Sequence, residues 1–196
     1  YNRASSNRIS WATCSAKESM PDGIRFAKKR GFQLERYLWK MEMDLNGTFF
    51  GKEEQGSHTI RRAETKDISL YVDIMNQGFK KPGDILYNED SFHMLFANPE
   101  EYVFFIMQNG RIISTAAVGL QKKLDRGYIH NVTVYNEYRG QGFGRVTLEH
   151  CIRRVKDEGF GKAVLNVDGT NKNALSLYKK LGFREVDTDF MFKRQI

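Results

Sequence analysis

The sequence predicts an α/β domain with a mixed sheet, and three observations carry that prediction. Hydrophobic periodicity switches repeatedly between two and 3.6 residues. An Asn109-Gly110 pair separates two apolar runs, which is a strong hairpin signal. A β-branched run from Gly127 to Tyr135 leads into a glycine-rich turn and then an amphipathic stretch, the order strand–turn–helix.

Taken in order, "HTIRRAE" alternates and reads as a strand. "TKDISLYVDIMNQGF" starts a helix at Thr65 or Asp67, with Ile68, Tyr71, Val72 and Met75 on one face. "NEDSFHMLFANPE" reads as a short second helix, ended by Asn98-Pro99. "EYVFFIMQNGRIISTAAVGLQ" gives the two hairpin strands, and "GYIHNVTVY" a third. The helix after the glycine turn places Leu148, Cys151, Ile152 and Val155 on one face, with Gly159 at its C′ position. "KAVLNVD", Lys162 to Asp168, is an apolar and therefore central strand. "TNKNALSLYKKLGF" is a helix with Ala174, Leu177, Tyr178 and Leu181 in line and Gly182 as its stop. "REVDTDFMFKRQ" is the final strand. The resulting order is β-α-α-β-β-β-α-β-α-β.

Upstream lies an internal repeat. "RFAKKRGF" (Arg25 to Phe32) and "SLYKKLGF" (Ser176 to Phe183) agree at four of eight positions. "RISWATC" precedes the first as "KAVLNVD" precedes the second, and "QLERYLWKMEMD" follows as "REVDTDFMFKRQ" does. Residues 1–46 are therefore expected to be the last strand, helix and strand of a second, incomplete copy. Residues 47–57, with three glycines and a charge run, read as a linker, and residues 58–196 as the complete domain.

Composition narrows the classes. The 196 residues are 40% hydrophobic, enough for a real core, and mean hydropathy is −0.57. No apolar run approaches membrane-spanning length, and no secretory signal is readable in "YNRASSNRIS". The chain starts at Tyr1 rather than Met, so it is expected to begin inside a longer protein. Two cysteines, Cys14 and Cys151, lack metal-site spacing, which suggests free thiols, a cytoplasmic location and no metal. A net charge of +7 favours anionic partners. The basic residues are dispersed and no nucleic-acid signature appears, so nucleic acid and membrane are disfavoured as main partners. A phosphorylated cofactor suits the charge better.

"YNEYRGQGFGRVTLEHC" supplies the place for one. Helix N-termini leave N–H groups unpaired and carry positive potential. Glycines allow a concave nest of N–H groups and remove Cβ atoms that would block a pyrophosphate. Arg139 and Arg145 flank the turn. It is not a Walker A loop, since no GK[ST] follows, and Thr147 stands where a dinucleotide fingerprint needs its third glycine.

The turn resembles the coenzyme A signature of the GCN5-related N-acetyltransferase (GNAT) family, R/Q-x-x-G-x-G/A, at Arg139, Gly142 and Gly144. A second family landmark, N-x-x-A-x-x-x-Y…GF, is matched by Asn171, Ala174, Tyr178, Gly182 and Phe183. The resemblance covers roughly His58 to Ile196 and, weakly, Tyr1 to Asn46. Asn136 departs from it, since many members carry proline there. The resemblance implies the acyl-CoA N-acyltransferase fold, a splayed mixed sheet flanked by helices, with acetyl-CoA as co-substrate. It implies that the backbone at Val132 and Val134 pairs with the pantetheine arm. It further implies that Arg139, Gly140, Gln141, Gly142, Phe143, Gly144 and Arg145 hold the pyrophosphate, with Asn171 touching the cofactor.

Amine acetylation needs a neutral amine, an oxyanion donor and a proton for the leaving thiolate. By resemblance Tyr178 is the acid, although its position also suits a core aromatic. His130 resembles the strand histidine of arylalkylamine acetyltransferases and is the candidate base, against a plain sheet-face histidine. Tyr128 lies where other members carry a base glutamate. Glu137 reads as solvated and Cys151 as core. In the first copy Ala27 and Met20 stand at the Tyr178 and Asn171 positions and no glycine turn exists, so it is expected to be non-catalytic. The expected partner is a small-molecule or peptide amine, chosen by loops around Lys80 to Asp90 and Gln121 to Arg126. A homodimer is compatible with the sequence, and a CoA-binding module without turnover is the rival reading.

Overall fold

The structure is a computed structural model that describes residues 11–48, 58–80 and 84–196. The expected linker lies almost wholly outside the described residues, as do residues 81–83 of the expected acceptor loop. The chain divides into two compact units: Met43–Leu165, and Tyr1–Glu42 together with Asn166–Ile196.

In the unit Met43–Leu165, β3 (Thr59–Arg62), β4 (Glu101–Gln108), β5 (Arg111–Gln121) and β6 (Arg126–Val134) form successive antiparallel pairs. The start of β7 (Lys162–Asp168) adds in parallel to β6, from Gly127↔Ala163 to Ile129↔Leu165, which makes the sheet mixed. Asn109 (φ 51°) and Gly110 (φ 73°) form the β4–β5 hairpin turn, both left-handed as a type I′ turn requires. One face of the sheet is covered by α2 (Ile68–Phe79) and α3 (His93–Ala97), burying Tyr71, Ile74, Met75, Phe92, Val103 and Phe105. The other is covered by α4 (Phe143–Asp157), whose Leu148, Cys151, Ile152 and Val155 are fully buried. Gly127 makes that packing possible, because a Cβ there would overlap the Val155 side chain. The Arg61 guanidinium binds Asp67 bidentately, at 2.7 and 3.1 Å, and the Glu64 N–H donates to Asp67 at 2.8 Å. These bonds fix the entry to α2 and hold the Asp67 carboxyl below the usual carboxylate range, the Arg61 bond being the largest cause. The first turn there is a 3₁₀ segment, Thr65–Asp67, so of the two expected starts it is Asp67 that takes the N-cap position of the α-helix proper, which begins at Ile68.

The other unit contains β1 (Trp11–Lys17), α1 (Pro21–Lys29), β2 (Gln33–Asp44) as far as Glu42, the end of β7, α5 (Lys172–Leu181) and β8 (Arg184–Gln195). Here β8 lies between β1 and β2, antiparallel to both. The turn after β1 is tied to β8 by Glu18 N–H donating to Thr188 O at 2.7 Å. The turn after β7 is tied to β2 in the same way, by Gly169 N–H donating to Tyr37 O at 3.0 Å. The first strand of each strand–helix–strand segment thus pairs with the last strand of the other, an exchange that alternation alone does not reveal.

Candidate active site

The nine residues of β6 are not a plain strand. Thr115 pairs with Thr133 and Ala117 with His130, so β6 carries one extra residue. Asn131 takes it up at φ 53°, and its Nδ2 donates to Tyr71 Oη at 3.0 Å. Burial holds the Tyr71 phenol above its ordinary range, so it stays protonated. Beyond the bulge, Thr133 points at α2. Gly78 of α2 allows that approach, because a Cβ there would overlap the threonine.

Past Val134 the chain makes a 3₁₀ turn, Asn136–Tyr138, and then the glycine turn. Gly140 (φ 78°) and Gly142 (φ 88°) are both left-handed, and a Cβ at either would meet open space. Their requirement is therefore conformational, since L side chains adopt this region at a cost of roughly 1–2 kcal/mol. The turn lies at the N-terminus of α4, with open space beside both glycines. Gly142 occupies the N-cap position of α4. The Arg145 N–H already donates to Gly142 O at 2.9 Å, and the helix start leaves the N–H groups of Phe143 and Gly144 pointing outward along its axis. The turn is anchored from below. Phe143 packs with Ile106 and Ile113, and the Thr147 hydroxyl donates to Phe143 O at 2.7 Å while meeting Ser114 Oγ at 2.6 Å. Arg139 is exposed and its Nε donates to Val134 O at 3.0 Å. The Gln141 amide donates to Glu137 O, and Arg145 pairs with Glu149, both at 2.8 Å. Val132 is half-buried, and Val134 packs toward the Phe143 cluster.

His130 is half-buried on the α2/α3 face. Its Nε2 lies 3.0 Å from Glu101 Oε2, and its ring stacks on Tyr128 at 5.2 Å between centroids. Glu101 was missed by sequence reasoning, which read its segment only as a strand. The available signal was a carboxylate opening a run of buried apolar residues. A cavity of about 430 Å³ opens beside it, lined by Arg62, Glu64, Leu95, Phe96, Glu101 and Val103 among others. Cys151 is buried and free, its thiol pushed up to about 12 by burial, which makes it an inert core residue.

In the other unit, Asn171 is the N-cap of α5, its Oδ1 accepting from Ala174 N–H at 3.1 Å. Tyr178 is buried, 6.1 Å from the Phe183 ring. Gly182 ends the helix at φ 102°.

The family model described as the acetyltransferase (GNAT) family matches residues 69–183, more than half of the chain. The chain belongs to the GNAT family. Its enzyme class is acetyl-CoA-dependent N-acetyltransferase. This GNAT chain is 32% identical over 129 residues to the ribosomal protein bS18 alanine N-acetyltransferase of Escherichia coli (strain K12), covering 65% of this chain and 82% of that protein. A GCN5-related N-acetyltransferase from Sphaerobacter thermophilus superposes with a TM-score of 0.75 at 18% identity. That match covers 95% of this GNAT chain, which spans only 60% of the other. A tandem GNAT protein from the clavulanic acid biosynthesis pathway gives a TM-score of 0.69 at 13% identity, covering 95% of this chain and 64% of that one. These likenesses show the fold: a mixed sheet flanked by helices, as the sequence predicts. Among the described residues no group of side chains is arranged to hold a metal ion, and no helix is long and apolar enough to cross a membrane.

Proposed function

We propose that the chain moves the acetyl group of acetyl-CoA to a primary amine by direct attack in a ternary complex. The observation that carries this reading is the glycine turn: two left-handed glycines with open space beside them at the N-terminus of α4, whose inner face is buried. The positive potential of a helix start and the open space beside the two glycines support a pyrophosphate there. Backbone N–H groups from Gln141 to Arg145 hold the diphosphate, with Gly140 shaping the turn and the Arg139 and Arg145 side chains adding charge. The backbone of β6 at Val132 and Val134 receives the pantetheine arm, and Asn171 adds a contact through Nδ2, its Oδ1 being used by the helix cap. The bound co-substrate supplies an activated acetyl thioester. His130 takes the proton of the attacking amine, and the Tyr178 hydroxyl gives one to the departing sulfur. No covalent enzyme intermediate is required.

A peptide α-amine is the acceptor class we favour, because the bS18 alanine N-acetyltransferase resembles this chain over most of its own length. Residues 1–46 act as a non-catalytic partial copy, joined by residues 47–57 to the catalytic copy at 58–196. Ala27 and Met20, standing where the second segment has Tyr178 and Asn171, support that assignment. Two free cysteines suit a cytoplasmic setting.

Calorimetric titration with acetyl-CoA, beside a Gly142→Glu variant, tests the reading. Micromolar binding by wild type that the variant loses is expected, because a side chain is strained there and its carboxylate repels phosphate. Turnover is then read with an alanine-starting peptide by mass spectrometry. Absence of binding by wild type overturns the proposal. Binding without transfer to any amine leaves a CoA-binding module in its place.

A further inference from the structure

Glu101 opens β4 and His130 lies near the middle of β6, with β5 between them. Across the sheet, Glu101 pairs with Gly119 and Val103 with Ala117, which in turn pairs with His130. The carboxylate must therefore cross β5 diagonally to reach the imidazole. Gly119 is what lets it do so: a Cβ at that position would sit 2.6 Å from Glu101 Oε1. Both side chains are only 19% exposed, and the Oε2–Nε2 distance of 3.0 Å is that of a good hydrogen bond. The Tyr128 ring, stacked within 10° of parallel, fixes the plane of the imidazole. A glycine in a buried stretch of a central strand, a carboxylate folded over it and a histidine held on two sides form a built arrangement. The buried core has no need of it.

We propose that Glu101 is a positioning residue for His130, selecting the tautomer in which Nε2 carries the hydrogen and Nδ1 the lone pair. A carboxylate is an acceptor only, so Nε2–H donates to it and Nδ1 is left as the basic atom. This rests on the reading of His130 as the base. As the amine nitrogen forms its bond to the acetyl carbon, its proton passes to Nδ1. Glu101 then faces an imidazolium and stabilises its charge without itself taking the proton. The C–S bond breaks on collapse of the tetrahedral adduct, and the thiolate takes its proton from an acid elsewhere. Glu101 also lines the 430 Å³ cavity.

The test is long-range 15N–1H NMR of the imidazoles in the full chain, which has four histidines, with His130→Gln assigning the His130 signals. Wild type shows the Nε2–H form of His130. Glu101→Ala gives a mixture of tautomers, whereas Glu101→Gln, whose amide oxygen still accepts, keeps the Nε2–H form. With an alanine-starting peptide as acceptor, Glu101→Ala lowers kcat by about tenfold or more, less than the roughly 10²–10⁴-fold ascribed to a whole general base. KM for acetyl-CoA is unchanged, and Glu101→Gln falls between Ala and wild type. An unchanged Nε2–H tautomer in Glu101→Ala, or a kcat equal to wild type, overturns the proposal. Should Glu101→Ala fail to fold, the isosteric Glu101→Gln and a Gly119→Ala variant that displaces the carboxylate carry the same comparison. Loss of acetyl-CoA binding by wild type would sink the reading of the active site, while the tautomer measurement would still decide the role of Glu101.

Discussion

β1, α1 and β2 begin at Trp11, Pro21 and Gln33; β7, α5 and β8 begin at Lys162, Lys172 and Arg184, at one constant spacing. The ends of the strands keep it too, Lys17 to Asp168 and Asp44 to Gln195. Hydrogen bonds follow. Phe32 N–H donates to Ala27 O at 3.1 Å, and Phe183 N–H to Tyr178 O at 3.0 Å. Gly31 N–H donates to Lys28 O at 3.0 Å, and Gly182 N–H to Lys179 O at 3.1 Å. The bonds linking Glu18 to Thr188 and Gly169 to Tyr37 are images of one another at the same spacing. Two segments so alike in backbone differ where chemistry would need them to. Ala27 replaces Tyr178, and Met20 replaces Asn171. Backbone architecture and side-chain chemistry were thus separable in this chain: one segment keeps the helix stop and strand pairing while lacking the tyrosine and the capping asparagine.

The largest expected effect probes that difference directly. Tyr178→Phe removes only an oxygen from a buried ring, so the fold is retained and acetyl-CoA still binds, while kcat falls by roughly 10²-fold or more. The converse change, Ala27→Tyr, forces a ring into a site where Ala27 is 1% exposed. It costs about 1–3 kcal/mol of stability from overpacking. It confers no turnover on the first copy, which has no glycine turn. Steady-state kinetics and thermal melting of the two variants separate the outcomes. If Tyr178→Phe keeps full activity, Tyr178 is a core aromatic like its neighbours and the two copies are chemically alike.

A smaller effect tests the likeness instead. Gly31 (φ 77°), after the C-cap Arg30 of α1, and Gly182 (φ 102°), the C-cap of α5, are both left-handed and stand at corresponding places of the two segments. Alanine at either is strained by about 1–2 kcal/mol. Urea denaturation should give nearly equal losses for Gly31→Ala and Gly182→Ala. A loss at one position alone would mean that the shared hydrogen bonds do not reflect a shared energetic role.

The Gly182 stop was legible in the sequence because glycine after an amphipathic run has one local meaning. So were the Asn109-Gly110 hairpin, the glycine turn before α4 and the buried stripe of Leu148, Cys151, Ile152 and Val155. The strand exchange was not, since pairing partners of β8 are decided by tertiary contacts rather than by its own alternation. Nor was the meeting of Glu101 with His130. Extra residues at Ile113 on β5, opposite Ile106 and Met107, and around Asn131 on β6 move cross-strand partners by one residue each. A bulge leaves no mark on composition, and without it the diagonal that joins the two side chains cannot be drawn. Asn131 at φ 53° was a residue type tolerant of that region, but a tolerant residue is a weak signal on its own.

The smallest effect concerns the helix starts, and there the two copies should respond unequally. Asn171→Ala deletes the bond from Ala174 N–H and costs about 0.5–2 kcal/mol. Met20→Asn puts a capping residue at the equivalent place, where Met20 is 61% exposed and makes no side-chain cap. Its gain should be smaller than the loss at Asn171, on the order of 0.5 kcal/mol. The reason is that Gly23, the counterpart of Ala174, already donates its N–H to Met20 O at 3.0 Å. Pro21 removes another donor at the first helical position. The first copy has thus met by backbone and proline what the second meets with Asn171. Urea titration of Met20→Asn, Asn171→Ala and the double variant reads both terms. A gain at Met20 as large as the loss at Asn171 would show the α1 start to be simply uncapped. A null effect of Asn171→Ala on stability, joined to weaker acetyl-CoA binding, would place Asn171 wholly with the cofactor.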